Sequence, residues 1–291
     1  MSLKYYNSIT LNNEIIMSCD MLRLSFSMSN EKLSNFNKFI INYEFKHSNI
    51  KIKLFHSSTL FQFANLIQVQ NLNDGTSFAL GLGFNSTKSQ EKSTCFIEFN
   101  PNKTLTNDLV TPFLEYIKLN CNIIDVVRYD IAFDIPLPRE LFNLVKDRRK
   151  YKKIYSLELN NKDLSDFTEY LGQRQNNGYV KLYNKSIESN LDKPLTRLEI
   201  TLDKLDYTNL IKEMPILNIF KYNNLSISNL TDTERVLLSL LLQNDNCTQY
   251  LYALGRKTKE KLLPYIVESY PIKISEGDFY HFILLINKII N

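Results

Sequence analysis

Ile123-Ile124-Asp125-Val126-Val127-Arg128-Tyr129-Asp130-Ile131-Ala132-Phe133-Asp134-Ile135 decides how this chain is read. It is one long strand, closed by Pro136 and Pro138. Strand side chains alternate, which puts Arg128, Asp130, Ala132 and Asp134 on one face and Val127, Tyr129, Ile131, Phe133 and Ile135 on the other. Acids on a well-formed strand are costly unless solvated, paired or metal-bound. At about 3.3 Å per residue, Asp130 and Asp134 lie roughly 13 Å apart, too far to share an ion. Asp130, at mid-strand, is the better metal ligand, and Asp134 is a supporting or structural acid.

Working outward, Leu22–Met28 alternates as a strand and Asn30–Asn42 forms an amphipathic helix. Strands follow at Ile50–Phe55, Phe61–Gln70, Phe78–Phe84 and Cys95–Phe99, then a helix capped by Thr106 or Asn107 and running to Asn120. Beyond the central strand, a short helix starts near Arg139. Further strands lie around Ile154–Leu159, Phe167–Leu171, Tyr179–Lys185 and Thr196–Leu202. After Leu205 the pattern turns helical, at Thr208–Lys212, Asp232–Gln243, Lys257–Ser269 (interrupted by Pro264) and Asp278–Ile290.

An internal echo runs through the first two-thirds. Arg23-Leu24-Ser25-Phe26-Ser27 matches Arg128-Tyr129-Asp130-Ile131-Ala132, and Phe96-Ile97-Glu98-Phe99 matches Arg197-Leu198-Glu199-Ile200. The expected fold is α+β, a large, mostly antiparallel curved sheet of two pseudo-repeated halves (20–104 and 125–204) with helices on one face. A helical C-terminal region (205–291) follows. Ser25 stands where the second half has Asp130, so chemistry is expected in the second half only.

The same alternation places Arg197, Glu199 and Thr201 on one face, Lys181, Tyr183 and Lys185 on another, and Thr168, Tyr170 and Gly172 on a third. If these strands adjoin the central one, a single surface carries Asp130, Glu199, a tyrosine and several cations. Paired carboxylates suit Mg²⁺ or Mn²⁺. Arg174, Lys181 or Arg197 could offset the charge of a phosphoryl transition state. The plain alternative for Arg197 and Glu199 is a same-face salt bridge. A tyrosine nucleophile needs a neighbouring cation, its ordinary pKa being about 10. Tyr170, followed by Gly172 and Arg174, and Tyr183, flanked by Lys181 and Lys185, both qualify on composition.

Bulk composition sets bounds. The chain has 291 residues, 44% of them hydrophobic and 23% charged, with a net charge of +4. Those values permit a full globular core, and they permit nucleic-acid binding without arguing for it. The charge gathers in Arg148, Arg149 and Lys150, and again in Arg256, Lys257, Lys259 and Lys261, which are candidate phosphate contacts. Cys19, Cys95, Cys121 and Cys247 lack metal or disulfide spacing, so reduced thiols are expected. No apolar run approaches the roughly 20 residues of a membrane span. No secretory-signal pattern opens the chain, and a cytoplasmic location without membrane attachment follows as an expectation. His47, His56 and His281 form no His-hydrophobic-His pair, so any metal must be held by carboxylates.

Together, Arg128–Asp134, the Tyr170-Leu171-Gly172-Gln173-Arg174-Gln175 block, Val180–Lys185, Arg197-Leu198-Glu199, the apolar Val236–Leu242 helix and Leu254-Gly255-Arg256-Lys257-Thr258 resemble the Rep-trans family. These are rolling-circle plasmid replication initiators of Gram-positive bacteria. The resemblance implies that Tyr170 nicks one origin strand, forming a 5′-phosphotyrosine and freeing a 3′-hydroxyl, with a divalent ion on Asp130 and Glu199. It further implies a homodimer that handles double- and single-stranded origin DNA, reads the origin through its C-terminal region and recruits a host helicase. Gln173 departs from the serine common at that place. Two alternatives share the resemblance: a conjugative-element relaxase with the same chemistry, and a non-catalytic DNA-binding regulator on the same fold.

Overall fold

The computed structural model describes residues 5–6, 8–56, 63–84, 92–149, 152–155, 168–174, 176–221, 226–243, 250–251 and 253–290. Its strands in chain order are β1 (Ser8–Thr10), β2 (Ile16–Ser29), β3 (Ile50–His56), β4 (Phe63–Asn71), β5 (Ser77–Phe84), β6 (Lys92–Phe99) and β7 (Ile124–Ile135). They continue as β8 (Phe142–Leu144), β9 (Lys152–Tyr155), β10 (Thr168–Leu171), β11 (Val180–Asn184), β12 (Thr196–Leu202), β13 (Leu217–Phe220) and β14 (Val267–Ser269).

Eleven of these form one antiparallel sheet in the order β3-β4-β5-β6-β2-β7-β12-β11-β10-β9, with β1 on β2. The order is the same read outward from either side of the central β2–β7 pair. Each half is a long inner strand whose last meander strand returns beside it, so the two halves are pseudo-repeats. The pair Arg23 and Arg128, matched in the sequence echo, are direct partners at the seam. Glu98 faces Arg23, however, whereas Glu199 faces Ala132, so the two echoed segments differ in register.

One face of this sheet is apolar because alternate residues of every inner strand are. Leu22, Leu24, Ile97, Leu80, Ile131, Phe133, Leu198 and Leu182 lie in a single core. The helices Asn30–Lys46, Thr111–Asn120, Tyr207–Glu213 and Glu276–Ile290 cover that face through Phe36, Phe113, Leu210 and Phe282. Burying such side chains contributes about 1.5–3 kcal/mol each, which fixes the face and therefore the register. Most polar side chains of the inner strands lie on the other side; Glu169, buried beside Leu182 and paired with Arg139, is an exception.

Two β-bulges alter the alternation. Register slips between Cys19 and Met21 and again between Arg23 and Leu24. The second is matched by an extra residue at Val127, which is 40% exposed rather than lying on the apolar face with Tyr129. The expected helix cap at Thr106 or Asn107 also moves. A short helix fills Pro101–Thr104, and the longer one begins at Thr111 with Pro112 at its start, where a missing N–H costs nothing.

The C-terminal part is less purely helical than its pattern indicates. β13 pairs with β14 and with β8, forming a second, three-stranded sheet among the described residues. The helices Asp232–Leu242 and Arg256–Ile266 pack through Leu238, Leu241, Leu262 and Tyr265 into a separate small core. The last helix returns to the main core, where Phe282 lies 6.0 Å from Tyr129. Pro264 lies inside Arg256–Ile266, which ends two residues later.

Candidate functional site: an acid–lysine–tyrosine row

Antiparallel partners project from the same face, so register alone assembles the site. Ala132 pairs with Glu199, Glu199 with Lys181, and Lys181 with Tyr170. One row across four strands thus carries the carboxylate, the lysine and the phenol. Flanking it, Asp130 pairs with Thr201, and Asp134 with Arg197, which pairs in turn with Tyr183. Asp130 is therefore a diagonal neighbour of Glu199, at a backbone spacing of about 7–8 Å.

Glu199 is buried and fully engaged. Lys181 Nζ donates to its Oε2 at 2.7 Å and Tyr183 Oη to its Oε1 at 2.5 Å. Burial, then the charge of Asp20, raises its pKa above the carboxylate range. Burial works to lower Lys181, but the charge and hydrogen bond of Glu199 win and hold the ammonium above its usual range. Tyr183 is pushed up by burial and by Glu199, so its phenol keeps its proton.

Asp134 and Arg197 form a closed fork. Arg197 Nε and Nη2 each donate to a separate oxygen of Asp134 at 2.6 Å, and Tyr5 Oη adds a hydrogen bond at 2.5 Å. Nη1 of the same guanidinium donates to Asp20 Oδ1 at 2.6 Å. Asp134 is thus the structural acid of the pair. Arg197, 3% exposed, is fixed in the sheet rather than open to a phosphate.

Asp130 differs from both. Among the described residues its Oδ1 is buried without a hydrogen-bond donor, the Arg128 Nη2 lying 3.7 Å away in a loose ion pair. Burial raises its pKa, against the opposing pull of Arg128 and a hydrogen bond from Thr201. Such an orphaned oxygen is the kind of atom that a cation satisfies. Among the described residues, no three His, Cys, Asp or Glu side chains are grouped to hold an ion as they stand. The oxygens nearest to hand are Asp130 Oδ1 and the second oxygen of Asp20, whose Oδ1 already accepts from Arg197 and Asn100; Glu199 joins them only by releasing Lys181 or Tyr183.

Asp20 is the acid that sequence alternation misses. Counting back by twos from buried Leu22 puts it in the core. The bulge between Cys19 and Met21 reverses the parity and turns it into the site, where it also accepts from Asn100 Nδ2 at 3.2 Å. Tyr5 is equally hidden from a reading by period, lying far from any periodic segment.

Tyr170 is half-buried, and its ring stacks on Tyr179 with centroids 6.1 Å apart. Gly172 follows with φ +86°, a left-handed conformation that turns the chain after β10, and Arg174 is exposed on the resulting loop. The loop is held from below. Arg149 donates to Gly178 O at 2.9 Å and Glu213 O at 2.8 Å, and pairs with Asp147. At 9% exposure it is an internal clamp rather than the surface phosphate contact expected of it. Arg148 is half-exposed and paired with Glu213, and Lys150 lies outside the described residues. In the C-terminal helix Arg256 and Lys257 are exposed; Arg256 pairs with Glu260, and Lys261 with Glu234.

No family model matches the chain, and no curated protein matches it. Among solved structures it is similar to a rolling-circle replication initiator protein from Geobacillus stearothermophilus, at 10% identity and a TM-score of 0.40. That alignment covers 94% of this chain and 96% of the other. Among the described residues, no helix is long and apolar enough to cross a membrane.

Proposed function

We propose that this protein is a tyrosine-dependent DNA nicking and joining enzyme that initiates rolling-circle replication of a plasmid. The observation that carries the proposal is the shared row of Tyr170, Lys181 and Glu199, with the orphaned oxygen of Asp130 on the same face. The chain's resemblance to Rep-trans initiators points the same way.

In this reading the Tyr170 oxygen attacks phosphorus. The new O–P bond replaces the bond to the 3′ oxygen, which leaves and takes up a proton as a 3′-hydroxyl. Lys181, next in the row, offsets the charge that builds up in the transition state. Tyr183 is the poorer nucleophile because its hydroxyl is already given to Glu199. Arg174, on the loop after Gly172, meets the phosphate from the solvent side. Asp130 and Asp20, joined by Glu199 once it releases a partner, would hold Mg²⁺ or Mn²⁺. Such an ion would polarise the scissile phosphate. Duplex origin DNA is held by Arg256, Lys257, Lys259 and Lys261, which position rather than specify. A homodimer and a recruited host helicase complete the cycle.

The full engagement of Glu199 by Lys181 and Tyr183 favours a second reading, a DNA-binding regulator that does not cut. Incubation with single-stranded origin DNA and Mn²⁺ separates the two. An initiator becomes covalently labelled at Tyr170; a protein that binds and never becomes labelled is the regulator.

A further inference from the structure

The first half repeats the row without its chemistry. Arg23 pairs with Glu98, Glu98 with Ala79, and Ala79 with Gln68, on the strands that mirror β12, β11 and β10. Where the second half has Lys181 and Tyr170, the first has the small Ala79 and the neutral amide Gln68. The space vacated is real. A cleft of 570 Å³, within the range of small-molecule sites, opens on this face, lined by Asp20, Phe55, Gln68, Ala79, Glu98 and Lys103.

Its walls are built for a flat, polar-edged group. Phe55 is 46% exposed and presents a large aromatic surface to the cleft. Gln68 Nε2 donates to the Ser77 hydroxyl oxygen at 3.2 Å, which leaves the amide's other N–H, its carbonyl oxygen and the Ser77 O–H to meet a polar edge. Arg23 is held by Glu98 at 2.5 Å with its guanidinium 4.7 Å above the Phe96 ring. That ring fits only because Gly81 has no side chain, since a Cβ there would lie 2.1 Å from it. Lys103 stands exposed at the rim. The cleft is continuous with the row through Asp20, which touches Arg197 on one side and Asn100 on the other.

Resting on the nicking reading, we infer that this cleft binds an unpaired nucleobase of the single strand whose phosphate lies at Tyr170. The degenerate half of the sheet is thus the substrate-strand platform. Phe55 stacks on the base, Gln68 and Ser77 meet its edge, and Lys103 contacts its phosphate.

The test uses the full chain, without divalent metal, and a mixed-sequence single-stranded oligonucleotide carrying 5-iodouracil. Phe55→Ala and the cleft-filling Ala79→Phe should each weaken single-strand binding about fivefold or more and leave duplex binding unchanged. Photocross-linking should label Phe55 in the unaltered protein. Unchanged single-strand affinity in Phe55→Ala, an exposed position where folding is not at stake, would overturn the inference, as would cross-links confined to other surfaces. The assay needs no cleavage. A wild-type protein that binds through the cleft but never nicks sinks the nicking reading alone; one that nicks, with both variants binding normally, sinks the cleft alone.

Discussion

Arg197 gives two nitrogens to the two oxygens of Asp134, each at 2.6 Å, at the centre of a sheet where neither side chain meets solvent. Charges so placed must be matched, because removing one strands the other in a low-dielectric interior. Asp134→Ala should therefore destabilise the protein by about 3–5 kcal/mol. Arg197→Lys, which lacks the planar fork, should rescue only part of the stability that Arg197→Ala removes. Urea denaturation checks both, and an Asp134→Ala protein of wild-type stability would show that the fork is dispensable.

The two tyrosines of the site separate cleanly. Tyr170→Phe should abolish the covalent adduct with single-stranded origin DNA while leaving affinity unaltered. Tyr183→Phe should keep the adduct and lose only a hydrogen bond to a carboxylate, about 1.5–3 kcal/mol of stability. Denaturing gel electrophoresis of labelled DNA reads the first effect and thermal melting the second; the reverse pattern would make Tyr183 the nucleophile.

Asp130 and Glu199 both have folded-state pKa values above the ordinary carboxylate range, chiefly from burial. A carboxyl raised in the folded state favours folding while it is protonated. This contribution is fully present below the unfolded pKa of about 4 and is lost as pH rises through the higher folded value. Without metal, stability should thus fall across the weakly acid range, and Asp130→Asn should flatten that fall. Mn²⁺ should restore stability on the neutral side, where the carboxylates are charged. Melting temperatures against pH, with and without the ion, test this; a profile that Asp130→Asn leaves unchanged would remove Asp130 as the source.

Arg256 and Lys257 protrude from the start of their helix. Replacing both by Gln should weaken duplex binding and reduce the slope of log K against log salt by about 0.9 for each phosphate no longer neutralised. Nicking of a pre-opened single strand should be spared. A slope identical to wild type would place the duplex elsewhere on the surface.

Which side chains share the candidate surface is largely legible in the sequence, because a strand has a period of two and a buried face that cannot slip. That rule puts Asp130 opposite Tyr129, and places Glu199, Lys181 and Tyr170 on the correct sides of their own strands without any knowledge of the pairing. It fails where the backbone departs from regularity. The bulge between Cys19 and Met21 hides Asp20, and the one beside Val127 turns an apolar residue outward. Composition also does not distinguish a surface cation from a buried one: Arg148 and Arg149 are sequence neighbours and both donate to carbonyls, yet Arg148 is half-exposed and Arg149 is enclosed. The three-stranded sheet of β8, β13 and β14 leaves no sequence signal because its strands are only three or four residues long, too short for alternation to register.

The seam at Arg23 and Arg128 joins segments separated by most of the first half of the chain. Pairings so remote in sequence require a large loop to close before any native interaction rewards it, which slows folding. Asp20 belongs to one side of that seam and Asp130 to the other, so the acids of the candidate site come together only when both lobes are paired. During synthesis the early lobe emerges with the long inner edge of β2 unpaired, a template for aggregation until β7 arrives to cover it. Slow addition of the second lobe, rather than marginal final stability, should therefore limit the yield of active protein.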